Sequence, residues 1–327
     1  MPACWQMKKY WKNYTMKCEI QLLDASLLAD EKTLEELSYW FGVMNRTNGW
    51  HYDLDHIWIL SELEKAGIKP GATIVDAGAG QGVLQYLLAS RGYNVISLDF
   101  SPRTIPNRAL GIFSIKGDGS AAIDYWHSYM NVINYGGDKT AGLLRKFSME
   151  RLKKIPAYII RNTHSRILWL KERFVANHEQ YGHITYIRAP FHDIPLADAV
   201  ADAVVSVSAI EHADIELFGD NIDSLTRLLK PASPMLLTTS ATKDENSSYN
   251  ETVAGWCFSR KRIAELLPDC SIEFDGDACE RSLLSSTKFI SRVDPYYFQK
   301  GQLFYARNFS TLPYLPLAIK FQQQTSQ

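Results

Sequence analysis

The stretch ATIVDAGAGQGVLQYLLASRGYNVISLDFS, residues 72–101, decides the fold of this chain. An apolar run ends at Asp76, residues 83–89 have the composition of a helix that Gly92 interrupts, and the chain is apolar again before Asp99. Three glycines lie in the turn that follows the first apolar run: Gly78, Gly80 and Gly82. This order predicts a strand, a glycine turn, a helix and a second strand, the unit that binds nucleotide-like ligands beside a parallel sheet.

The residues of this unit also indicate the kind of ligand. Glycines let the backbone approach a ligand closely, and the helix that follows offers free N–H groups. Asp99 is placed to accept hydrogen bonds from ribose hydroxyls. The dinucleotide fingerprint G-x-G-x-x-G would need glycine where this chain has Val83. Asp76 would repel a pyrophosphate, whereas it would attract the ammonium and sulfonium groups of S-adenosylmethionine.

Three motifs in the chain share one resemblance. Residues 74–82 follow the pattern hydrophobic-hydrophobic-Asp-x-Gly-x-Gly-x-Gly, which resembles the first motif of class I S-adenosylmethionine-dependent methyltransferases. Ile194-Pro195-Leu196 stands where that family has Leu-Pro-Phe, and Ile210-Glu211-His212 resembles its hydrophobe-Glu-His landmark. The resemblance implies an α/β, Rossmann-like fold. We therefore expect a seven-stranded, mostly parallel sheet with an antiparallel last strand and helices on both faces.

The resemblance also implies S-adenosyl-L-methionine as the cofactor, with no metal. The residues it assigns to the cofactor are Asp76, Gly78, Ala79, Gly80, Gly82, Asp99, Phe100, Phe191 and Ser208. The family commonly has an acid for the adenine amino group at the position of Pro190. Asp193, the ring of Phe191 and backbone groups are the alternatives for this contact.

Two pairs of residues are candidates for chemistry and substrate binding. Glu211 and His212 follow the predicted fourth strand, and a histidine there can act as a general base because its pKa lies near neutrality. The alternative is that this pair caps a helix or bonds to loops. His51 and Tyr52 begin a predicted helix that, in the family, often lies over the cofactor. They either bind substrate or hold the helix end to the core.

The predicted organisation has three parts: an N-terminal helical segment over residues 1–70, a methyltransferase core over residues 71–310, and a C-terminal tail over residues 311–327. Within the core, residues 103–181 are too long for one crossover connection and are predicted to form an inserted helical cap. This insert is rich in basic residues, which indicates the solvated face of helices, a surface for an anionic substrate, or a peripheral contact with an anionic membrane. The last two strands are predicted at residues 271–274 and 303–307.

The composition of the chain bears on its binding partners and on its cellular location. A net charge of −1 over 327 residues gives no argument for binding nucleic acid. Five cysteines, an odd number without a C-x-x-C pair, predict reduced thiols in a cytoplasmic protein, with neither a zinc site nor a disulfide. No apolar run reaches the length of a membrane span, and the first residues lack the apolar core of a signal peptide. The sequence leaves the oligomeric state open.

We expect methyl transfer to a small-molecule acceptor by in-line displacement beneath the cap. Lipid-linked and sugar-linked molecules are included among the candidate acceptors. An NAD(P)-dependent oxidoreductase or epimerase is the second hypothesis, with Tyr296-x-x-x-Lys300 as its supporting pattern. A non-catalytic module that binds S-adenosylmethionine is the third.

Overall fold

The computed structural model describes residues 15–46, 48–49, 51–118, 120–121, 155–251, 254–292 and 312–324. Its strands are β1 (Thr15–Leu22), β2 (Thr73–Ala77), β3 (Asn94–Asp99), β4 (Thr104–Ile105), β5 (Ile115–Gly117), β6 (Ser120–Ala121), β7 (Ile184–Arg188), β8 (Ala203–Val207), β9 (Pro234–Ala241), β10 (Ser248–Asn250), β11 (Gly255–Cys257), β12 (Ser271–Glu273) and β13 (Leu315–Gln324). Its α-helices are α1 (Glu31–Met44), α2 (Tyr52–Lys65), α3 (Leu84–Ser90), α4 (Asn107–Leu110), α5 (Ile155–Val175), α6 (Phe218–Thr226), α7 (Arg260–Leu266), α8 (Gly276–Ser285) and α9 (Thr287–Arg292).

A nine-stranded sheet in the order β12-β1-β13-β9-β8-β2-β3-β7-β5 forms the centre of the fold. The strands from β9 to β5 in this order run parallel, and β13 runs antiparallel to β9 and β1. The α/β class and the antiparallel last strand are therefore confirmed. The predicted count of seven strands is wrong, because β1 and β5 add two strands to the sheet, β1 between β12 and β13 and β5 at the edge beside β7.

Strand β1 lies in a segment that was predicted to be helical. Cys18 and Ile20 are buried, whereas the neighbouring Lys17 and Gln21 are exposed. This alternation has the period of two that a strand requires. The segment is inserted between β13 and β12, so its secondary structure is set by two strands that lie far away in the chain.

A disulfide joins Cys18 of β1 to Cys270, the residue before β12. The prediction that the cysteines are all reduced is therefore wrong for this pair. Strand pairing brings together two residues that are 252 positions apart, a contact that the spacing of cysteines does not reveal. Cys257 and Cys279 are free and buried.

Strand β13 occupies the segment that was predicted to be a surface tail. Leu317, Ile319 and Phe321 are fully buried, because β13 lies between β9 and β1 rather than at the edge of the sheet. Pro316 lies at the beginning of β13, where its carbonyl accepts from the Leu23 N–H at 2.9 Å. The strand predicted at residues 303–307 lies outside the described residues.

The described part of the predicted cap contains β4, α4, β5, β6 and α5. Helix α5 packs against α1, and its buried Glu172 accepts hydrogen bonds from the hydroxyls of Tyr39 and Tyr181, both at 2.6 Å. A helix in this insert is thus confirmed, whereas its role as a cap stays a prediction, as do the domain boundaries. Across the described ranges, no helix combines the length and the apolar composition that crossing a membrane demands.

Candidate functional site

A cavity of about 580 Å³ lies at the carboxyl ends of β2, β3 and β8. Every residue that the sequence assigned to the cofactor lines it: Asp76, Gly78, Ala79, Gly80, Gly82, Asp99, Phe100, Phe191 and Ser208. His212 and Tyr52 also line the cavity, whereas Glu211 and His51 do not. Parallel strands explain the convergence, because their carboxyl ends meet at one edge of the sheet.

The glycine turn after β2 is held against the end of β3. The N–H groups of Gly78 and Ala79 both donate to the Leu98 carbonyl, at 2.8 and 3.1 Å. Gly78 has a φ of +71°, and a Cβ added there would lie 2.3 Å from the Cβ of Ala209. Glycine is therefore required for the turn to pass this close to the loop after β8, and it leaves a cradle for a ligand.

Asp99 is fixed in position by backbone donors. Its Oδ2 accepts from the Gly80 N–H and its Oδ1 from the Ser101 N–H, both at 2.8 Å. Each carboxylate oxygen has a second lone pair, so both can still accept from the hydroxyls of a ribose. The carboxylate thus fits the ribose role that its position in the sequence predicted.

Asp76 is almost fully buried at the end of β2. Burial raises the pKa of this carboxyl to about 7, and the negative charge of Asp99 acts in the same direction, whereas Arg103 opposes it. Arg103 is itself buried, and its Nη2 donates to Ser97 Oγ at 2.7 Å and to Gln85 Oε1 at 2.8 Å. An arriving cation would favour the charged form of Asp76, which fits the ammonium group of S-adenosylmethionine.

The adenine contact was left open between Asp193, Phe191 and backbone groups. Phe191 and Ala189 lie in the wall of the cavity, whereas Asp193 does not. Phe100 lies at the same end and is 70 % exposed, so its ring is free to contact a planar base. An aromatic and backbone contact is the alternative that this geometry supports.

Glu211 and His212 have different surroundings. Glu211 is buried behind the cavity and accepts hydrogen bonds from Thr239 Oγ1 at 3.0 Å and Ser240 Oγ at 3.4 Å. His212 Nδ1 lies 2.9 Å from the carbonyl oxygen of Ala254. A carbonyl only accepts, so Nδ1 carries the proton and Nε2 keeps a lone pair. His212 therefore has the tautomer of a general base, and Glu211 has the position of a structural residue.

The loop that holds His212 in this orientation includes Gly255. A Cβ at Gly255 would lie 3.1 Å from the Cγ of Glu211 and 3.1 Å from the Cε1 of His212. The preceding Ala254 has a positive φ of 53°, which is uncommon for a residue with a side chain. Close packing and local backbone strain thus bring a carbonyl acceptor to the imidazole.

The two predicted substrate residues at the start of α2, His51 and Tyr52, have different surroundings. His51 Nδ1 donates to Asp55 Oδ2 at 2.5 Å, and both side chains are buried, so this pair anchors the helix. Tyr52 faces the cavity, and so does His56 one turn later. Burial lowers the pKa of His56 to about 4, and its Nδ1 has no hydrogen-bond partner among the described residues. A neutral imidazole with an unused polar atom is suited to binding a ligand.

Sequence reasoning missed His56 and two other features. His56 follows Tyr52 by four residues, so it shares a helix face with it, and this spacing could have indicated it. Arg46 lines the cavity and donates to Gln81 Oε1 at 3.0 Å, and no carboxylate in the described part of the chain pairs with it. Ser208 has a φ of +45°, and its buried Oγ has no partner within the described ranges.

A family model described as a methyltransferase domain matches residues 162–237, from α5 into β9. The sequences of curated proteins contain no match to this chain. Similar solved structures include a protein from Galdieria sulphuraria assigned as a sarcosine dimethylglycine methyltransferase, with a TM-score of 0.43, 14 % identity, and coverage of 88 % of this chain and 98 % of that one.

Two further similar structures contain bound ligands. One is the 1,6-didemethyltoxoflavin-N1-methyltransferase of Burkholderia thailandensis with 1,6-didemethyltoxoflavin and S-adenosylhomocysteine (TM-score 0.41, 12 % identity, 92 % of this chain and 89 % of that one). The other is the geranyl diphosphate C-methyltransferase of Streptomyces coelicolor A3(2) with Mg²⁺, geranyl diphosphate and S-adenosyl-L-homocysteine (TM-score 0.38, 12 % identity, 95 % and 94 %). Residues 162–237 are thus similar to a methyltransferase domain, and the glycine cradle and the carboxylates of Asp76 and Asp99 at the same cavity fit S-adenosylmethionine as the ligand.

Proposed function

We propose that this chain transfers a methyl group from S-adenosylmethionine to a small-molecule acceptor bound between α2 and the loop after β8. One observation carries the proposal. The glycine turn, His212, Tyr52 and His56 all border the same cavity. A methyl donor and a nucleophile can therefore meet there with a base beside them.

Residues on the β2 and β3 side would hold the cofactor. Asp76 faces the ammonium group, Asp99 accepts from the ribose hydroxyls, and Phe191 contacts the adenine. Arg46, which lies beside Gln81 of the glycine turn, supplies a positive charge for the methionine carboxylate. Ser208 Oγ has an unused hydrogen-bonding capacity on the opposite wall.

When bound, the cofactor supplies an electrophilic methyl group on a positively charged sulfur. The chain then contributes position and proton removal. Tyr52 and His56 contact the acceptor from α2, and His212 Nε2 accepts the proton that a hydroxyl or amine nucleophile loses. The Nδ1–H of His212 remains bonded to the Ala254 carbonyl, which stabilises the imidazolium that results.

Titration calorimetry separates this proposal from the two alternatives. S-adenosylmethionine and S-adenosylhomocysteine should bind, and NAD should not. Binding of NAD alone would favour the oxidoreductase hypothesis, whose Tyr296 and Lys300 lie outside the described residues. A non-catalytic module would bind S-adenosylmethionine but release no S-adenosylhomocysteine with any acceptor, including lipid- and sugar-linked ones. Chromatographic detection of S-adenosylhomocysteine across an acceptor panel therefore decides catalysis.

We also propose a cytoplasmic location and no nucleic-acid partner, with residues 103–181 acting as a cap over the acceptor. The argument for the cytoplasm from reduced cysteines no longer applies to Cys18 and Cys270, which are bonded. Alkylation of free thiols at the moment of lysis, followed by mass spectrometry, tests the location. Complete alkylation of both residues supports the cytoplasm, and their protection as a disulfide opposes it.

A further inference from the structure

Helix α5 has one face that is firmly attached to the rest of the fold. Ser165 and Glu172 on this face are buried, and the Trp169 indole N–H donates to the Arg108 carbonyl at 3.1 Å. Arg108 Nη1 in turn donates to Ser165 Oγ at 2.5 Å. These contacts set the rotation of the helix, so the residues on its opposite face are held outward.

The outward face of α5 is an apolar stripe. Ile160 is 68 % exposed, Ile167 58 %, Leu170 45 % and Phe174 70 %. Their spacings of seven, three and four residues place them on one side of a helix with 3.6 residues per turn. Four large apolar side chains in one exposed row are more than the scattered surface residues of a typical protein and indicate an interaction surface.

Positive charge flanks the stripe on both sides. At 100° per residue, Arg166 and Arg173 lie along one border of the stripe and Lys171 along the other. The single acid of α5 is Glu172, which points inward to Tyr39 and Tyr181. The outward face therefore combines apolar groups with cations, and α5 itself adds no carboxylate to it.

We infer that this face of α5 binds the surface of an anionic lipid bilayer. Apolar side chains between Lys and Arg are the pattern of helices that lie at a membrane interface, where the stems and rings enter the headgroup region and the cations meet anionic lipids. A second copy of the chain fits less well, because two α5 faces would bring cations against cations. Residues 122–154, which precede α5, contain more Lys and Arg than Asp and Glu, so they also lack the complementary charge.

This inference does not depend on methyl transfer. It is tested with the full chain by co-sedimentation with vesicles of phosphatidylcholine, either alone or mixed with phosphatidylglycerol. The wild-type protein should bind the mixed vesicles, and high salt should weaken that binding. Phe174→Asp should lower the bound fraction about tenfold, since it replaces a ring that would enter the bilayer with a negative charge.

Tyr249→Asp is the matched control. Tyr249 is an exposed aromatic residue at 50 %, lies on β10 outside α5, and should leave vesicle binding unchanged. Melting temperatures of both variants show that they are folded. Equal binding to neutral and anionic vesicles, no binding to either, or an equal loss in both variants would overturn the inference. Light scattering gives a further outcome against it, namely a dimer that Phe174→Asp converts to a monomer.

Discussion

The two halves of the cavity are built in different ways. The cofactor half, Asp76, Gly78, Gly80 and Asp99, comes from 24 consecutive residues and is fixed by backbone hydrogen bonds from the turn to Leu98 and Asp99. The proposed acceptor half consists of residues from segments far apart in the chain: Tyr52, His56 and His212. Helix α2 positions Tyr52 and His56, and the Ala254 carbonyl holds His212. We therefore expect changes in the cofactor half to abolish binding of S-adenosylmethionine. Changes in the acceptor half should instead alter turnover and the affinity for the acceptor.

The largest effect is expected for Gly78→Ala. Its Cβ would lie 2.3 Å from the Cβ of Ala209, so the turn or the loop after β8 must shift. We expect S-adenosylmethionine affinity to fall by about 100-fold, which corresponds to about 3 kcal/mol, as measured by calorimetry. Gly67→Ala is the control, because Gly67 has nearly the same φ, +72°, and no atom within 4 Å of the added Cβ. An equal loss of affinity in the control would remove the argument from close approach.

His212→Gln tests whether the acceptor half supplies the base. We expect kcat to fall by about 100-fold or more, because Nε2 can no longer accept a proton, while cofactor affinity stays within about twofold. His183→Gln, at an exposed position before β7, is the control and should keep full activity. Turnover that is retained in the His212 variant would show that the Glu211–His212 pair is structural, as the alternative interpretation holds.

The pH dependence of cofactor binding tests the cofactor half again. Asp76 must be ionised to attract the ammonium group, and its pKa in the free protein is about 7. Affinity should therefore rise about tenfold per pH unit below that value and level off above it. Asp76→Asn should bind weakly with no such slope. A wild-type affinity that is constant between about pH 5.5 and 7 would contradict this role for Asp76.

The same carboxyl should lower the stability of the free protein. Its folded-state pKa of about 7 lies above the pKa of 3.8 that an aspartate has in an unfolded chain, so the protonated form stabilises the fold. This contribution is fully present below the unfolded pKa and is lost as the pH rises through about 7. At pH 8, Asp76→Asn should be more stable than the wild type by on the order of 2 kcal/mol, as measured by denaturant unfolding. The two proteins should converge in acid, and a constant difference would refute the explanation.

The smallest effect is expected for His56→Gln. Gln keeps a polar group near the acceptor but changes its position, so KM for the acceptor should rise by about tenfold while cofactor affinity is unchanged. Because burial lowers the pKa of His56 to about 4, its protonation should not contribute to the pH profile near neutrality. A loss of cofactor affinity equal to the rise in KM would assign His56 to the cofactor half.

The residues that the sequence predicted and the residues that it missed lie in different parts of the site. All the residues that were predicted to hold the cofactor line the cavity, and most of them lie within one strand–helix–strand unit. His56 was missed, since a buried histidine in α2 has the same spacing as the apolar core residues around it. Arg46 was missed because it lies in a turn whose position over the cavity depends on the packing of α1 and on Asn45, which donates to Asn162 Oδ1 at 3.2 Å.

The sequence by itself determined the α/β class and the glycine turn with Asp76 and Asp99 on either side of it, because each of these rests on interactions between residues that are close along the chain. Only the tertiary structure decided that β1 and β13 enter the sheet, that Cys18 meets Cys270, and that α1 and α2 complete the cavity. The physical reason is that these contacts join segments separated by long stretches of chain. Their local patterns are compatible with several partners, and burial in one sheet selects among them.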